Sequence, residues 1–386
     1  MVISMLEKPD YSNSIVNLTS SIGRASGVTS PYSPLEFDSL SSLEDTKNIV
    51  LMIVDGLGYN YLREYGGDSL LKKNLRESIS SVYLPSTGSA ITSIMTGLAP
   101  QQHAVTGWFV YLKEFGLLSR ILPYSNTIDY NNLGVDIANV VDVKSLFQGS
   151  NREYTLILTR TIVDSVFTKN LTGNANRLQY DGVDQFFSKI KKTITTSDEK
   201  KYVYGYWPDF DAVSHILGSR SQDAQDQLRD FDNHLSTFVE SIEGTDTTLI
   251  ITGDHGFDDV DPMQVIYTQD HPELNDYLVM PFCGDTRSVY AYVRPRKMDQ
   301  FERYVENEFG NACDIFPSSE LVDEGWFGLF DPHPRLLDRI GDYTLIFREG
   351  HAMMNCFPGV EPFKMLGHHG GASADEMYVP LCVVDC

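Results

Sequence analysis

The chain has 386 residues, 42% of them hydrophobic and 22% charged, and its 53 acidic against 30 basic side chains leave a formal charge of −23. That charge excludes broad binding to nucleic-acid polymers, whose phosphates it repels, while leaving room for a small anion held through metal ions. No apolar run approaches the roughly 20 residues that span a bilayer, and the length allows either two or three compact units or one large α/β domain with an insertion.

The first residues, MVISMLEKPDYSNS, lack the basic start and apolar run of a secretory leader. The five cysteines are scattered, odd in number and free of any Cys-x-x-Cys pair. Both features predict free thiols in a reducing compartment and a cytoplasmic location. Residues 1–45, rich in Ser, Pro and Gly, read as an irregular lead-in. NIVLMIV (48–54) is a continuous β-branched run, as expected of a strand buried on both faces, and it stops at Asp-Gly. LPSTGSAITSIMTGLAP (84–100) begins as a loop crowded with hydroxyls and continues as a helix. KYVYGYW (201–207) reads as a second strand, followed by Pro208 and a helical stretch, and TTLIITG (247–253) as a third. Strand, turn and helix in repetition predict an α/β, doubly wound, mostly parallel central sheet with helices on both faces. Texture changes at 284–347: RSVYAYVRP alternates, MDQFERYVENEF is helical, and DYTLIFRE is a strand. This stretch is expected to form a smaller α+β, cap-like unit inserted into a core made of 1–283 and 348–386.

Acidic and imidazole groups gather at the predicted strand ends, where doubly wound sheets bind ligands. Asp55 follows the first strand, Asp254 and His255 the third. Asp211 and His215 follow the second at i, i+4, which places them on one helix face. GHHGGAS adds His368 and His369 near the C-terminus. Each alone is commonly a turn, a solvated pair or a loop. Together, three Asp and three His make a sensible ligand set for two borderline cations such as Zn²⁺, without any thiol. Thr87, just before the predicted helix, admits two readings. It can cap free N–H groups, or its hydroxyl, at the positive helix end and beside a cation, can act as a nucleophile.

Taken together, IVLMIVDGLG, PSTGSAITSIMTGLAPQQH, YWPDFDAVSHILG, ITGDHGF and GHHGGAS, in this order from about residue 10 to the end, resemble the alkaline phosphatase superfamily, and most its nucleotide pyrophosphatase/phosphodiesterase branch. The resemblance implies a central sheet, two zinc ions (other divalent transition metals being admissible) and a Thr or Ser nucleophile. It implies that Asp211, His215 and His369 hold one ion. Asp55, Asp254 and His255 would hold the other, with Thr87 as nucleophile and ligand on it. Thr87 is chosen because it lies nine residues before Thr96, His369 because Gly follows it, and Asp211 rather than Asp209 because only Asp211 is four residues before His215. Two departures stand out. The loop before the nucleophile is one residue short, and Ala90 replaces an Asn that many members use to bind a phosphate oxygen. Ser89 and the backbone N–H groups of Gly88 and Ser89 are the substitute donors.

The expected activity is a two-zinc phosphodiesterase or nucleotide pyrophosphatase working on a small phosphate ester, a nucleotide among the candidates, through a phospho-threonine intermediate. A phosphomonoesterase or phosphonate hydrolase on the same site is the alternative. The nearest basic residue downstream of Thr87 is Lys113, 26 positions away, which leans towards a diester. A catalytically inactive metal-binding module is the alternative from another class.

Overall fold

The computed structural model describes residues 6–356 and 363–386. Its centre is a seven-stranded sheet in the order Leu75–Ser80, Tyr378–Asp385, Thr247–Thr252, Asn48–Val54, Lys201–Trp207, Glu153–Thr159, Asn176–Tyr180. The five strands from Thr247–Thr252 to Asn176–Tyr180 pair in parallel, and Tyr378–Asp385 runs against both its neighbours. The three strands expected from the sequence are those at the middle, and every residue in them is buried. Alternation does the layering. Ile49, Leu51 and Ile53 enter a core shared with the helices Ile15–Ala25 and Thr87–Thr96. Val50, Met52 and Val54 enter the opposite core, under Val183–Thr195 and Gln222–Ser241. Each such side chain contributes about 1.5–3 kcal/mol when taken from water.

Residues 15–25 form a helix where the sequence suggested irregular chain. Ser14 caps it, and all of its residues except Arg24 are buried. Its apolar residues Ile15, Leu18, Ile22 and Ala25 do recur at helical spacing, but the Asn, Thr, Ser and Gly between them read as loop.

A second seven-stranded sheet runs in the order Cys313–Pro317, Tyr343–Phe347, Ser288–Ala291, Cys283–Gly284, Phe109–Leu112, Leu117–Arg120, Ser125–Asn126. All its pairs are antiparallel. Helix Met298–Phe309 packs on it through Phe301, Val305 and Phe309. The sheet therefore extends beyond the 284–347 stretch and takes three strands from 109–126, joined where Gly284 pairs with Phe109. Among the described residues no helix is long and apolar enough to cross a membrane.

Candidate active site

Three neighbouring strands of the central sheet end side by side: Val54 pairs with Trp207, and Ile53 with Thr252. The residues that follow emerge at one carboxyl edge. Asp55 lies directly after its strand, and Asp254 and His255 just beyond theirs. Trp207 leads into helix Asp209–Leu217, which carries Asp211 and His215 one turn apart. Strand Gly367–His368 pairs with Asp258–Asp259 and delivers His369 to the same edge.

All six expected ligand residues meet here. Ligand atoms of Asp55, Asp254 and His255 lie within 4.8 Å of one another, and so do those of Asp211, His255 and His369. His255 belongs to both groups, and its ring stacks on that of His369 at 3.9 Å. The second tight cluster thus contains His255 where the sequence suggested His215. His215 reaches it through Asp211, its Nε2 lying 3.3 Å from Asp211 Oδ1.

The hydrogen bonds fix which atoms face inward. A carbonyl only accepts, so His255 Nδ1–H donates to Gly256 O at 3.1 Å and His215 Nδ1–H to Gly367 O at 2.9 Å. In the neutral tautomer that this fixes, the Nε2 of each ring carries the lone pair that a cation would take. Those lone pairs face Asp55 Oδ1 at 3.4 Å, Asp254 Oδ2 at 3.6 Å and Asp211 Oδ1. The outer oxygens of two carboxylates are anchored: Asp254 Oδ1 accepts the N–H groups of Gly56 and His255, and Asp55 Oδ2 accepts the Tyr206 hydroxyl. Asp55 Oδ1, Asp211 Oδ1, Asp254 Oδ2 and His369 Nδ1 are buried and have no hydrogen-bond partner. A buried polar atom left so costs about 1–3 kcal/mol. Cations among these lone pairs would remove the penalty, and an all-nitrogen-and-oxygen set suits zinc or a similar divalent transition metal.

Charge balance points the same way. Burial, with repulsion from Asp211 and Asp254, holds the Asp55 carboxyl well above its ordinary range. Burial pulls His215 down, but the Asp211 carboxylate outweighs it and raises the imidazole to about 9, so a proton occupies its Nε2 until a cation takes that place. Burial also opposes ionisation of Asp211, yet His215 and His255 bring it below its usual value. Burial and the neighbouring imidazoles His255 and His215 hold His369 well below its own.

Thr87 opens the helix Thr87–Thr96, and its Oγ1 lies 3.2 Å from His255 Nε2. The capping reading fails: Ser86 is the N-cap residue, and no side chain caps this helix. The Ser86 hydroxyl instead donates to Asp285 Oδ2 at 2.6 Å. The Ser89 hydroxyl is also committed, donating to the carbonyls of Leu84 and Ser86, so it is withdrawn as a phosphate donor. The N–H groups of Gly88 and Ser89 precede the first helical bond, from Ala90 N to Ser86 O, and remain available. Gly88 is required where it stands, because a Cβ would come 2.6 Å from the Gly107 carbonyl oxygen.

Thr87, Trp108 and Asp211 line two adjoining cavities. The first, of about 620 Å³, is largely apolar, with Ile91, Leu122, Phe167 and Tyr204, and among the described residues no basic side chain lines it. The second, of about 400 Å³, takes in His215, His369, Asp285 and Arg120. Arg120 corrects the expectation that no cation lies near the nucleophile; the strand Leu117–Arg120 brings it back from far along the chain. The hairpin signal was the turn ending at Gly116, φ +63°, between the runs Phe109–Leu112 and Leu117–Arg120. Asp285, also missed, sits 3.7 Å from His369 Nδ1, and burial raises its carboxyl to about 6. Its close approach needs Gly370 at φ +94°, where a Cβ would meet Asp285 Cβ at 2.6 Å. His368 turns away and shares a hydrogen bond of 2.9 Å with the Thr286 hydroxyl.

The profile of the type I phosphodiesterase / nucleotide pyrophosphatase family matches residues 49–372. Among solved structures, murine ectonucleotide pyrophosphatase / phosphodiesterase 5 is similar, at 15% identity and TM-score 0.65 over 87% of each chain. An inactive variant of that protein in complex with AMP gives TM-score 0.63 at 15% identity, over 86% of this chain and 87% of that one. Phosphonoacetate hydrolase from Sinorhizobium meliloti, in complex with phosphonoformate, gives TM-score 0.60 at 16% identity, over 88% of this chain and 90% of that one. At such identities the likeness shows the fold. Among curated protein sequences none gives a significant match.

Proposed function

This chain belongs to the type I phosphodiesterase / nucleotide pyrophosphatase family, metal-dependent hydrolases of phosphoric ester bonds, and on that premise we propose that it cleaves a small phosphodiester or phosphoanhydride through a phosphorylated Thr87. The observation that carries the reading is the Thr87 hydroxyl, 3.2 Å from His255 Nε2 and beside the unpartnered inward atoms of Asp55, Asp254 and Asp211. Asp55, Asp254 and His255 would hold one divalent ion, and Asp211, His215 and His369 a second, most suitably zinc. When bound, such ions lower the pKa of a hydroxyl and neutralise phosphoryl charge.

Thr87 Oγ1 forms a bond to phosphorus in line with the bond that breaks, and the leaving oxygen departs with the electron pair. The N–H groups of Gly88 and Ser89, at the positive end of a ten-residue helix, donate to the phosphoryl oxygens in place of the family's Asn. Water, entering where the leaving group was, then attacks phosphorus and releases Thr87. The apolar cavity, with Trp108 and Tyr204, suits one uncharged aromatic or apolar arm, such as a nucleoside; AMP in the murine relative supports that reading.

We take 284–347, together with the strands of 109–126, as the unit that roofs the second cavity, since Arg120, Asp285 and Thr286 come from it. All five cysteines are free thiols, which suits a reducing, cytoplasmic setting. A second reading, hydrolysis of a phosphonate or phosphomonoester on the same Thr87, draws support from the Arg120 cation in that cavity. The inactive-module reading is disfavoured by the full ligand set around a buried hydroxyl. Turnover of a panel of mono- and diesters, with metal content measured in parallel, tests all three: no turnover with metal bound would leave only the last.

A further inference from the structure

Any diester held at Thr87 sends two arms away from phosphorus, and Thr87 lines both cavities. The cavities differ in charge: among the described residues no basic side chain lines the larger, whereas Arg120 lines the smaller, together with the candidate ligands His215 and His369 and the Asp285 carboxyl. Arg120 is built to stay there. Its Nε and Nη2 both donate to Ser125 Oγ, at 3.1 and 2.8 Å, and its guanidinium lies 3.9 Å from the centroid of the Tyr130 ring. Ser125 is itself buried. Among the described residues Arg120 forms no ion pair, in a chain of formal charge −23. A guanidinium stacked on an aromatic face and pinned along one edge is pre-organised, and its remaining donors suit phosphate or carboxylate.

We propose that Arg120 is a specificity-determining residue: it selects substrates whose second arm carries an anion, phosphate or carboxylate, while the first arm, in the apolar cavity, is uncharged. The inference rests on the phosphodiesterase reading. It makes the substrate asymmetric, with one arm chosen by apolar contact and the other by charge.

The test compares wild type, Arg120→Ala and Arg120→Lys in metal-loaded protein. One readout is kcat/KM for ATP, whose arm beyond the α-phosphorus is a pyrophosphate, and for bis(4-nitrophenyl) phosphate, whose arms are uncharged. A second is the Kd of inorganic pyrophosphate by calorimetry. In Arg120→Ala, kcat/KM for ATP falls about 10- to 100-fold more than that for the uncharged diester, and the pyrophosphate Kd rises by a similar factor. Arg120→Lys recovers part of both. Tyr130→Ala, which removes the ring under the guanidinium, shifts both in the same direction by less. Phosphonoacetate as a competitor separates the anions: the larger loss of affinity on Arg120→Ala names carboxylate or phosphate as the preferred one. An ATP-to-diester ratio within about twofold of wild type, or an unmoved pyrophosphate Kd in folded Arg120→Ala, overturns the proposal. A wild type that hydrolyses neither compound refutes the phosphodiesterase reading instead, and the pyrophosphate titration then still decides on Arg120.

Discussion

Thr87→Ala separates a structural hydroxyl from a nucleophile. The side chain is 7% exposed, and its hydroxyl has one partner, His255 Nε2. It caps nothing, because Ser86 holds the N-cap position. The substitution removes one hydrogen bond and one buried methyl, together about 1–2 kcal/mol. Against a typical stability of about 5–15 kcal/mol, and at about 2–4 °C per kcal/mol for large domains, the melting temperature drops by a few degrees. Turnover behaves otherwise. A held nucleophile is worth an effective concentration of about 10⁵–10⁸ M, so its loss lowers kcat by at least about 10³-fold. Thr87→Ser keeps the hydroxyl and stays within about tenfold of wild type. The assay is release of 4-nitrophenol from bis(4-nitrophenyl) phosphate, beside a thermal melt and zinc analysis on the same sample. Ser86→Ala and Ser89→Ala are the controls, since both hydroxyls are occupied elsewhere. Normal turnover in Thr87→Ala, with either control inactive, would refute the assignment.

Asp254→Ala and His369→Ala should each lower zinc affinity in equilibrium dialysis and cut turnover strongly, whereas His368→Ala, whose ring bonds Thr286, should do much less; equal damage from His368→Ala would contradict the site. Chelation should abolish turnover and lower the melting temperature, because an ion bound only by the folded chain stabilises it by mass action; restoration of both on adding zinc is the check. Arg287, fully buried, pairs with Glu376 and Asp258, and Glu376 accepts the N–H of Gly371 beside the His369 loop. Arg287→Met should therefore cost about 3–5 kcal/mol in denaturant unfolding by stranding two carboxylates. Burial, with Arg339 and His333 nearby, holds His103 down to about 3 against an ordinary 6.5. Between those values the unfolded chain binds a proton that the folded chain does not, so stability is complete above about pH 6.5 and falls as the pH drops towards about 3. His103→Gln should flatten that slope in denaturant titrations run at stepped pH.

The parts of this molecule legible in its sequence are those where one physical demand acts alone. Asn48–Val54, Lys201–Trp207 and Thr247–Thr252 are buried on both faces, so after the first residue none carries a charged side chain and the strand ends stand out. Asp55 and Asp254 stand out at those ends and Asp211 by its spacing to His215, whereas the choice of His369 over His368 rests only on the family resemblance. What stayed hidden depends on contacts distant in sequence. The helix Ile15–Ala25 is polar in composition yet buried, because Thr19 and Ser20 donate to the carbonyls of Ile94 and Tyr32. Arg120, at the end of one strand, and Asp285, in the turn after another, reach the site through a sheet that only tertiary pairing joins. The double membership of His255 is a matter of distances of 3 to 4 Å, which no spacing rule contains.

The stereochemical course at phosphorus tests the central claim most directly. Each in-line displacement inverts phosphorus. Attack by Thr87 followed by attack of water makes two displacements. A chiral phosphorothioate diester hydrolysed in ¹⁸O-labelled water should therefore give a product with net retention of configuration. Net inversion would mean that water attacks the substrate in a single step, and that Thr87 never carries the phosphoryl group.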